Sequence, residues 1–195
     1  MADAAQKLTM TSAEYLAFER ASLEQKHEFV DGEIFAMSGG TMEHGLLAMN
    51  IGAELRVALF DKPCRAVGSD VKVRSSPTKY HYPDVSVVCG RPLFEDETRD
   101  VLLNPKVIIE VLSESTERYD RGDKFESYSA IASFEDYVLL SQDAVRVEHF
   151  HRQSDGTWIF RRLGPGETLH LASIQCQISV DRVYHRVFEE SQSSA

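Results

Sequence analysis

Apolar positions recur along this chain in two periods, and the switch between them divides it into elements. Thr11-Ser-Ala-Glu14 is a Ser/Thr-x-x-Glu pattern, in which two side chains cap each other's backbone, and it predicts a short helix to about Ala21. Asp31-Gly32 then separates two apolar runs between His27 and Met37, a strong hairpin signal. Ser38-Gly-Gly-Thr41 breaks the chain as a turn and helix cap. Leu47, Ile51, Leu55 and Leu59 follow at i, i+4 spacing, so a long helix is predicted from about Met42 to Phe60, ended by Pro63. Cys64–Val67 and Asp70–Arg74 read as strands interrupted at Gly68, and Asp84–Cys89 as a strand entered from Pro83. Lys106–Leu112 is apolar except for Glu110, as expected of a central strand buried on both faces. Arg121–Ile131 reads as a helix starting near Asp120 or Asp123, and Asp136–Ser141 as another buried strand. Val145–Phe150 and Thr157–Leu163 alternate as a hairpin about Ser154-Asp-Gly156, with Trp158 as a packing anchor. Ile174–Val180 is the last strand, with Asp181 capping a short terminal helix. Met1–Gln6 and Ser191–Ala195 are small and polar, as fraying ends are. Helices and strands in this order predict an α/β (α+β, mixed-sheet) domain around one central sheet, with no linker.

Composition narrows the function classes. At 195 residues, 43% hydrophobic and 27% charged, the chain can bury a core without staples. Its three cysteines, Cys64, Cys89 and Cys176, lack zinc-site spacing and read as reduced, buried residues of a cytoplasmic protein. No apolar run is long enough for a membrane span and the N-terminus lacks a signal-peptide core, so no membrane partner is expected. The net charge of −10 excludes nucleic-acid binding by bulk charge. A nucleic-acid substrate would need local cations, for which Lys72, Arg74, Lys79, Arg118 and Arg121 are the candidates, or metal ions that offset clustered carboxylates.

The chemistry starts from a polar residue in an apolar run. Buried in a strand, Glu110 must be paired or bind a cation, unless it points out at a sheet edge. Asp84, at a strand entry, is by itself ordinary turn chemistry. Together, an acid at a strand start and one on a neighbouring strand can converge at a sheet edge. With the carbonyl of Val111 as a third oxygen, they suit Mg²⁺ or Mn²⁺. Lys124 could orient a water there, or sit solvated and paired with Asp120 at i, i+4. His149 and His151 alternate onto one strand face, where they could touch one metal or form a surface pair on an edge strand.

Tyr82-Pro-Asp84, Pro105-Lys-Val-Ile-Ile-Glu110-Val-Leu-Ser113 and Asp120-Arg-Gly-Asp-Lys124-Phe-Glu-Ser-Tyr128, with His27-Glu28 and His44 upstream, resemble the Uma-two endonuclease family. That family is a bacterial branch of the PD-(D/E)XK, restriction-endonuclease-like superfamily. The resemblance implies a single domain over 1–195, with a nuclease core at about 10–150 and antiparallel strands at 151–190. The core would be a helix, a three-stranded meander, a helix and a strand. Asp84 and Glu110 would be the two motif acids and, with Val111, the metal ligands. Leu112 stands where the superfamily carries its lysine, and Lys124 resembles the relocated one. Glu28 would be a supporting acid, and His44 would face the site. The implied activity is a Mg²⁺- or Mn²⁺-dependent endonuclease acting on DNA, and the family together with the apolar C-terminal strands points to a homodimer. The rival reading is a nuclease fold with little or no hydrolysis, acting as a binding or assembly module. The negative charge and the missing Glu-x-Lys lysine favour it.

Overall fold

The computed structural model describes residues 9–188; the ends expected to fray lie outside them. Helix α1 (Ser12–Ala21) opens with the expected reciprocal cap: the Glu14 N–H donates to the Thr11 hydroxyl and the Thr11 N–H to the Glu14 carboxylate. Strands β1 (His27–Val30) and β2 (Glu33–Ala36) form the hairpin. Asp31 and Gly32 both take positive φ, 50° and 97°, the turn that matches strand twist. Thr41 caps α2 (Met42–Ala58), which ends two residues before Phe60. Leu47, Ile51 and Leu55 are wholly buried on its inner stripe, each contributing about 1.5–3 kcal/mol.

Eleven strands follow: β3 (Cys64–Gly68), β4 (Lys72–Ser76), β5 (Lys79–His81), β6 (Val85–Cys89), β7 (Val101–Leu102), β8 (Val107–Leu112), β9 (Asp136–Ser141), β10 (Val147–Arg152), β11 (Trp158–Leu163), β12 (Thr168–Leu171) and β13 (Cys176–Ser179). They do not make the single central sheet expected. A six-stranded sheet has the order β11-β10-β9-β8-β6-β3, a five-stranded sheet the order β2-β1-β5-β4-β7, and β12 and β13 pair separately. The expected division arises at Gly68, but with a larger effect. After it, β4 and β5 leave β3 and pair with the N-terminal hairpin. The chain returns through Tyr82-Pro83-Asp84 into β6. Strands β5, β7 and β12 are too short for periodicity to announce them.

Within the six-stranded sheet, α2 packs over an antiparallel β3-β6-β8 meander, and β9 runs parallel to β8. All six residues of each of β8 and β9 are buried. Their odd and even positions enter two cores. One, with Leu47, Ile51, Ile109, Val138 and Ile178, lies under α2. The other, with Ile108, Leu112, Tyr128, Phe134 and Leu139, lies under the helical segment before β9, where Phe125 and Phe134 pack on Trp158. That segment is not the continuous helix 121–131. It comprises α3 (Glu117–Tyr119), a π-helical turn (Asp120–Lys124) and α4 (Phe125–Ser129).

Two further expectations are corrected. Cys64 and Cys89 are not reduced: they face each other in the β3-β6 register, 3.9 Å apart at Cα, and form a disulfide, while Cys176 is free and buried. The last strand is Cys176–Ser179, after a 3₁₀ turn (Ala172–Ile174). Ser179, rather than Asp181, precedes α5 (Val180–Val183), and Asp181 instead accepts a hydrogen bond from the Gly166 N–H. No helix among the described residues is long and apolar enough to cross a membrane.

Candidate active site

Tyr82-Pro83-Asp84, the strap between the two sheets, carries the site. From the five-stranded sheet, Glu28 on β1 accepts the Tyr82 N–H at 3.0 Å. In the six-stranded sheet, Asp84 precedes β6 and Glu110 lies on adjacent β8. The Val111 N–H donates to Asp84 Oδ2 at 2.7 Å, and the Asp84 N–H approaches Glu110 Oε2 at 3.4 Å. Val111 thus meets the site first through its N–H. Glu110 does not point out at an edge: it is 3% exposed, in the middle of the sheet.

The partner of Glu110 is Lys124. The buried ammonium lies 3.0 Å from Glu28 Oε1, 3.0 Å from Glu110 Oε1 and 3.4 Å from Asp120 Oδ1. The i, i+4 pairing with Asp120 exists, but the lysine is not solvated. The π-helical turn ends at Lys124. An extra residue in a turn re-aims the side chains beyond it, and such turns recur at functional sites. One turn on, the Tyr128 hydroxyl donates to Glu110 Oε1 at 3.1 Å. Leu112, at the superfamily lysine position, is buried in the core under α4.

His44, in the first turn of α2, sets its Nε2 3.0 Å from Asp84 Oδ1. Gly40 makes room for the ring: a Cβ there would stand 3.0 Å from two imidazole carbons. His44 and Asp84 line an open cleft of about 620 Å³ with Lys26, Ser38, Gly39 and Ser69, so the acid cluster reaches it through Asp84.

Too many negative charges meet here for one ammonium. Burial pushes the Glu110 carboxyl well above the ordinary range; Lys124 opposes this, and Asp120, Asp84 and Glu28 add to it. Burial would also raise Glu28, but Lys124, His81 and the Tyr82 N–H together hold it down at about 2. Burial lowers the Lys124 ammonium, whereas Glu110 and Glu28 raise it well above the usual lysine value. Hydrogen bonding to Asp84 raises His44 against the opposing effect of burial. Glu28, Asp84, Glu110, Lys124 and His44 therefore lie in one contiguous group. Sequence reasoning missed His81, wholly buried with Nδ1 3.5 Å from Glu28, and Tyr128. The i, i+4 spacing of Asp120, Lys124 and Tyr128 was the available signal.

The expected local cations are mostly engaged. Lys72 is buried on Asp100, Arg74 pairs with Glu95, Lys79 with Asp31, and Arg121 with Glu117 and Glu148. Arg118 remains exposed. His149 and His151 are not a surface pair on an edge strand, because β11 pairs along the outer edge of β10 and the His149 side chain is buried. Both contact Asp136.

The sequence model of the family described as "Uma2: Putative restriction endonuclease" matches residues 12–181. Two Synechocystis proteins are similar. "Uncharacterized protein slr1290" is 34% identical over 176 residues, 90% of this chain and 91% of its own length. "Uncharacterized protein sll1609" is 34% identical over 155 residues, 79% of this chain and 87% of its own length. The fold resembles a crystal structure from Anabaena variabilis described as "a putative nuclease belonging to DUF820". The TM-score is 0.76, with 14% identity, 92% of this chain covered and 99% of that one.

Proposed function

The chain belongs to the Uma2 family, and on that premise we propose that it is a Mg²⁺- or Mn²⁺-dependent nuclease hydrolysing DNA phosphodiester bonds beside the Tyr82–Asp84 strap. The observation carrying this reading is the buried Lys124 ammonium, 3.0 Å from both Glu28 and Glu110, next to Asp84 at the cleft. A purely structural ion pair needs one carboxylate. Here four gather, and burial, with Asp120, Asp84 and Glu28 adding to it against Lys124, raises Glu110. Such a surplus of oxygen donors fits a hard divalent cation.

Asp84 and Glu110 would hold that ion, with the Val111 carbonyl as a further oxygen. When bound, it lowers the pKa of water and offsets charge at phosphorus and the leaving oxygen. Lys124 keeps its proton at Nζ, because the acids around it favour the charged form. A fixed ammonium can orient the attacking oxygen and steady the charge that develops in the transition state. Glu28 anchors the lysine from the other sheet. His44 fixes the rotamer of Asp84 from the cleft side.

Mn²⁺ calorimetry and nicking of supercoiled plasmid test the assignment. Asp84→Ala and Glu110→Ala should lose both Mn²⁺ binding and cleavage. Lys124→Ala should keep Mn²⁺ and lose roughly 10²–10³-fold in rate, the usual loss for one transition-state donor. Unchanged Mn²⁺ affinity in both acid variants would overturn the ligand assignment. A wild-type protein that binds Mn²⁺ and DNA without cutting would be a binding module.

A further inference from the structure

Asp136 is buried away from the acids around Lys124, with a different set of neighbours. It opens β9 opposite Val107 of β8, whereas Glu110 pairs with Leu139 three residues along. At about 3.3 Å per residue, that separates the two carboxylates by about 10 Å along the strands. They also lie on opposite faces of the sheet. Val138 and Leu140, in step with Asp136, pack under α2, whereas Ile108 and Leu112, in step with Glu110, pack on Tyr128 and Phe134.

His151 lies directly across from Asp136 on β10, and His149 across from Val138. Both imidazoles therefore rise on the face of the Asp136 carboxylate. His149 Nε2 and His151 Nδ1 each lie 2.7 Å from the same oxygen, Asp136 Oδ1. From the 3₁₀ turn, the Ser173 hydroxyl donates to the other oxygen, Oδ2. Asp136 is wholly buried and the His149 side chain is 6% exposed, while the His151 side chain is 27% exposed and forms the rim. Among the described residues, this is the one group of three His, Cys, Asp or Glu side chains whose ligand atoms all lie within 4.8 Å of one another.

We propose that Asp136, His149 and His151 form a second metal site that takes a zinc-class transition ion. Two imidazoles and one carboxylate suit zinc-class ions, whereas Mg²⁺ prefers an all-oxygen shell. Binding exchanges the two ring N–H protons at Oδ1 for one ion. Each imidazole shifts to the tautomer that leaves its inward nitrogen free, and the two protons move to the outer nitrogens or to solvent. Tetrahedral bonds of about 2.0–2.1 Å require donor separations of about 3.3 Å, so the nitrogens must withdraw from Oδ1 by roughly 0.6 Å. The exposed edge of His151 allows that movement and gives an ion its entrance. A fourth position is left to water. Ser173 holds the carboxylate from behind, in the manner of an outer-shell partner that orients a ligand. The ion would tie β9, β10 and the 3₁₀ turn together at the end of the sheet away from Glu110.

The test titrates ZnCl₂ into the EDTA-stripped full-length protein with Mg²⁺ in excess, reading stoichiometry and affinity by calorimetry. Wild type and Asp84→Asn should each hold one Zn²⁺ that Mg²⁺ does not displace. His151→Gln, on the exposed rim, and His149→Gln should each weaken binding at least tenfold, since loss of even an outer-shell partner costs that much. Far-UV circular dichroism in EDTA checks that both variants fold. X-ray absorption on zinc-loaded wild type, which depends on no variant, should show two imidazoles and no sulfur. Zinc affinity unchanged in both histidine variants, a sulfur ligand, or no zinc retained by Asp84→Asn would overturn the proposal.

Discussion

Replacing Lys124 with Met removes the only ammonium within reach of Glu28, Glu110 and Asp120 among the described residues. Methionine keeps most of the volume, so the loss is one of charge rather than packing. Two opposing effects set its size. Burial penalises the lysine itself, and removing it recovers that penalty. The carboxylates left behind are buried and lose their counter-charge, which in comparable buried pairs costs about 3–5 kcal/mol net. Glu110 is the most exposed to this loss, since burial already raises its pKa and Lys124 is the group that restrains it. A chain of this size shifts its melting temperature by about 2–4 °C per kcal/mol, so a fall of roughly 6–20 °C is expected in EDTA. The loss should shrink as pH falls. A carboxyl whose pKa is raised on folding contributes stability at low pH and forfeits it as pH rises through the folded value. Adding Glu110→Gln to Lys124→Met should recover part of the loss, because contacting residues are not additive. Urea melts of the four members of this cycle, in EDTA at neutral and acidic pH, provide the measurement. A loss under about 1 kcal/mol, the worth of an exposed ion pair, would refute the view that the lysine balances a buried charge excess.

Asp100 offers a second pH test: Arg20 first, then Lys72 against the opposing effect of burial, lower its carboxyl from 3.8 to about 2. That stability is complete above the unfolded value and lost as pH falls through about 2, so Asp100→Asn should cost about 1–2 kcal/mol at neutrality after a discount for solvent screening of this partly exposed carboxyl, with the difference from wild type closing in acid; a pH-independent difference in urea melts would refute it. Gly40→Ala puts a methyl 3.0 Å from the His44 ring and should displace the imidazole from Asp84, which histidine side-chain NMR would register; an unchanged spectrum would mean that the loop yields instead. With Lys72, Arg74, Lys79 and Arg121 all paired, few phosphates can be neutralised, so DNA binding in Ca²⁺ should show a salt slope no steeper than about −3, at about −0.9 per contact. A steep slope in gel shifts would reveal a basic surface elsewhere.

Local pattern carried the elements whose cause is local. The Thr11 cap, the Asp31-Gly32 turn and the α2 stripe each depend on residues within one or two turns of chain, and each forms where its pattern lies. Glu110 was legible as a buried acid because its five strand neighbours are apolar. What was hidden depends on register between distant segments. Cys64 and Cys89 are separated by 25 residues and meet only because β3 and β6 pair antiparallel. His149 looks like a surface residue until β12 and the 3₁₀ turn after it pack on its face of the sheet. The same holds for the candidate cations, whose acidic partners lie on other elements. The π-helical turn escaped because a helical period over so short a stretch does not distinguish one extra residue in a turn.

Three backbone amides at the strap, those of Tyr82, Asp84 and Val111, donate to side-chain carboxylates rather than to a strand ladder: to Glu28, Glu110 and Asp84 respectively. The Tyr82 bond lies on the five-stranded-sheet side of the strap and the other two on the six-stranded-sheet side, and Lys124, 3.0 Å from both Glu28 and Glu110, joins the two sides. Amide hydrogen exchange at Tyr82 and Asp84 therefore reads an opening of the strap that the β8 and β9 ladders, buried throughout, do not share. Peptides spanning 82–84 should exchange through a cheaper, sub-global opening than those of the central strands. Their protection measures whether the acids are assembled, in any buffer and with no substrate present.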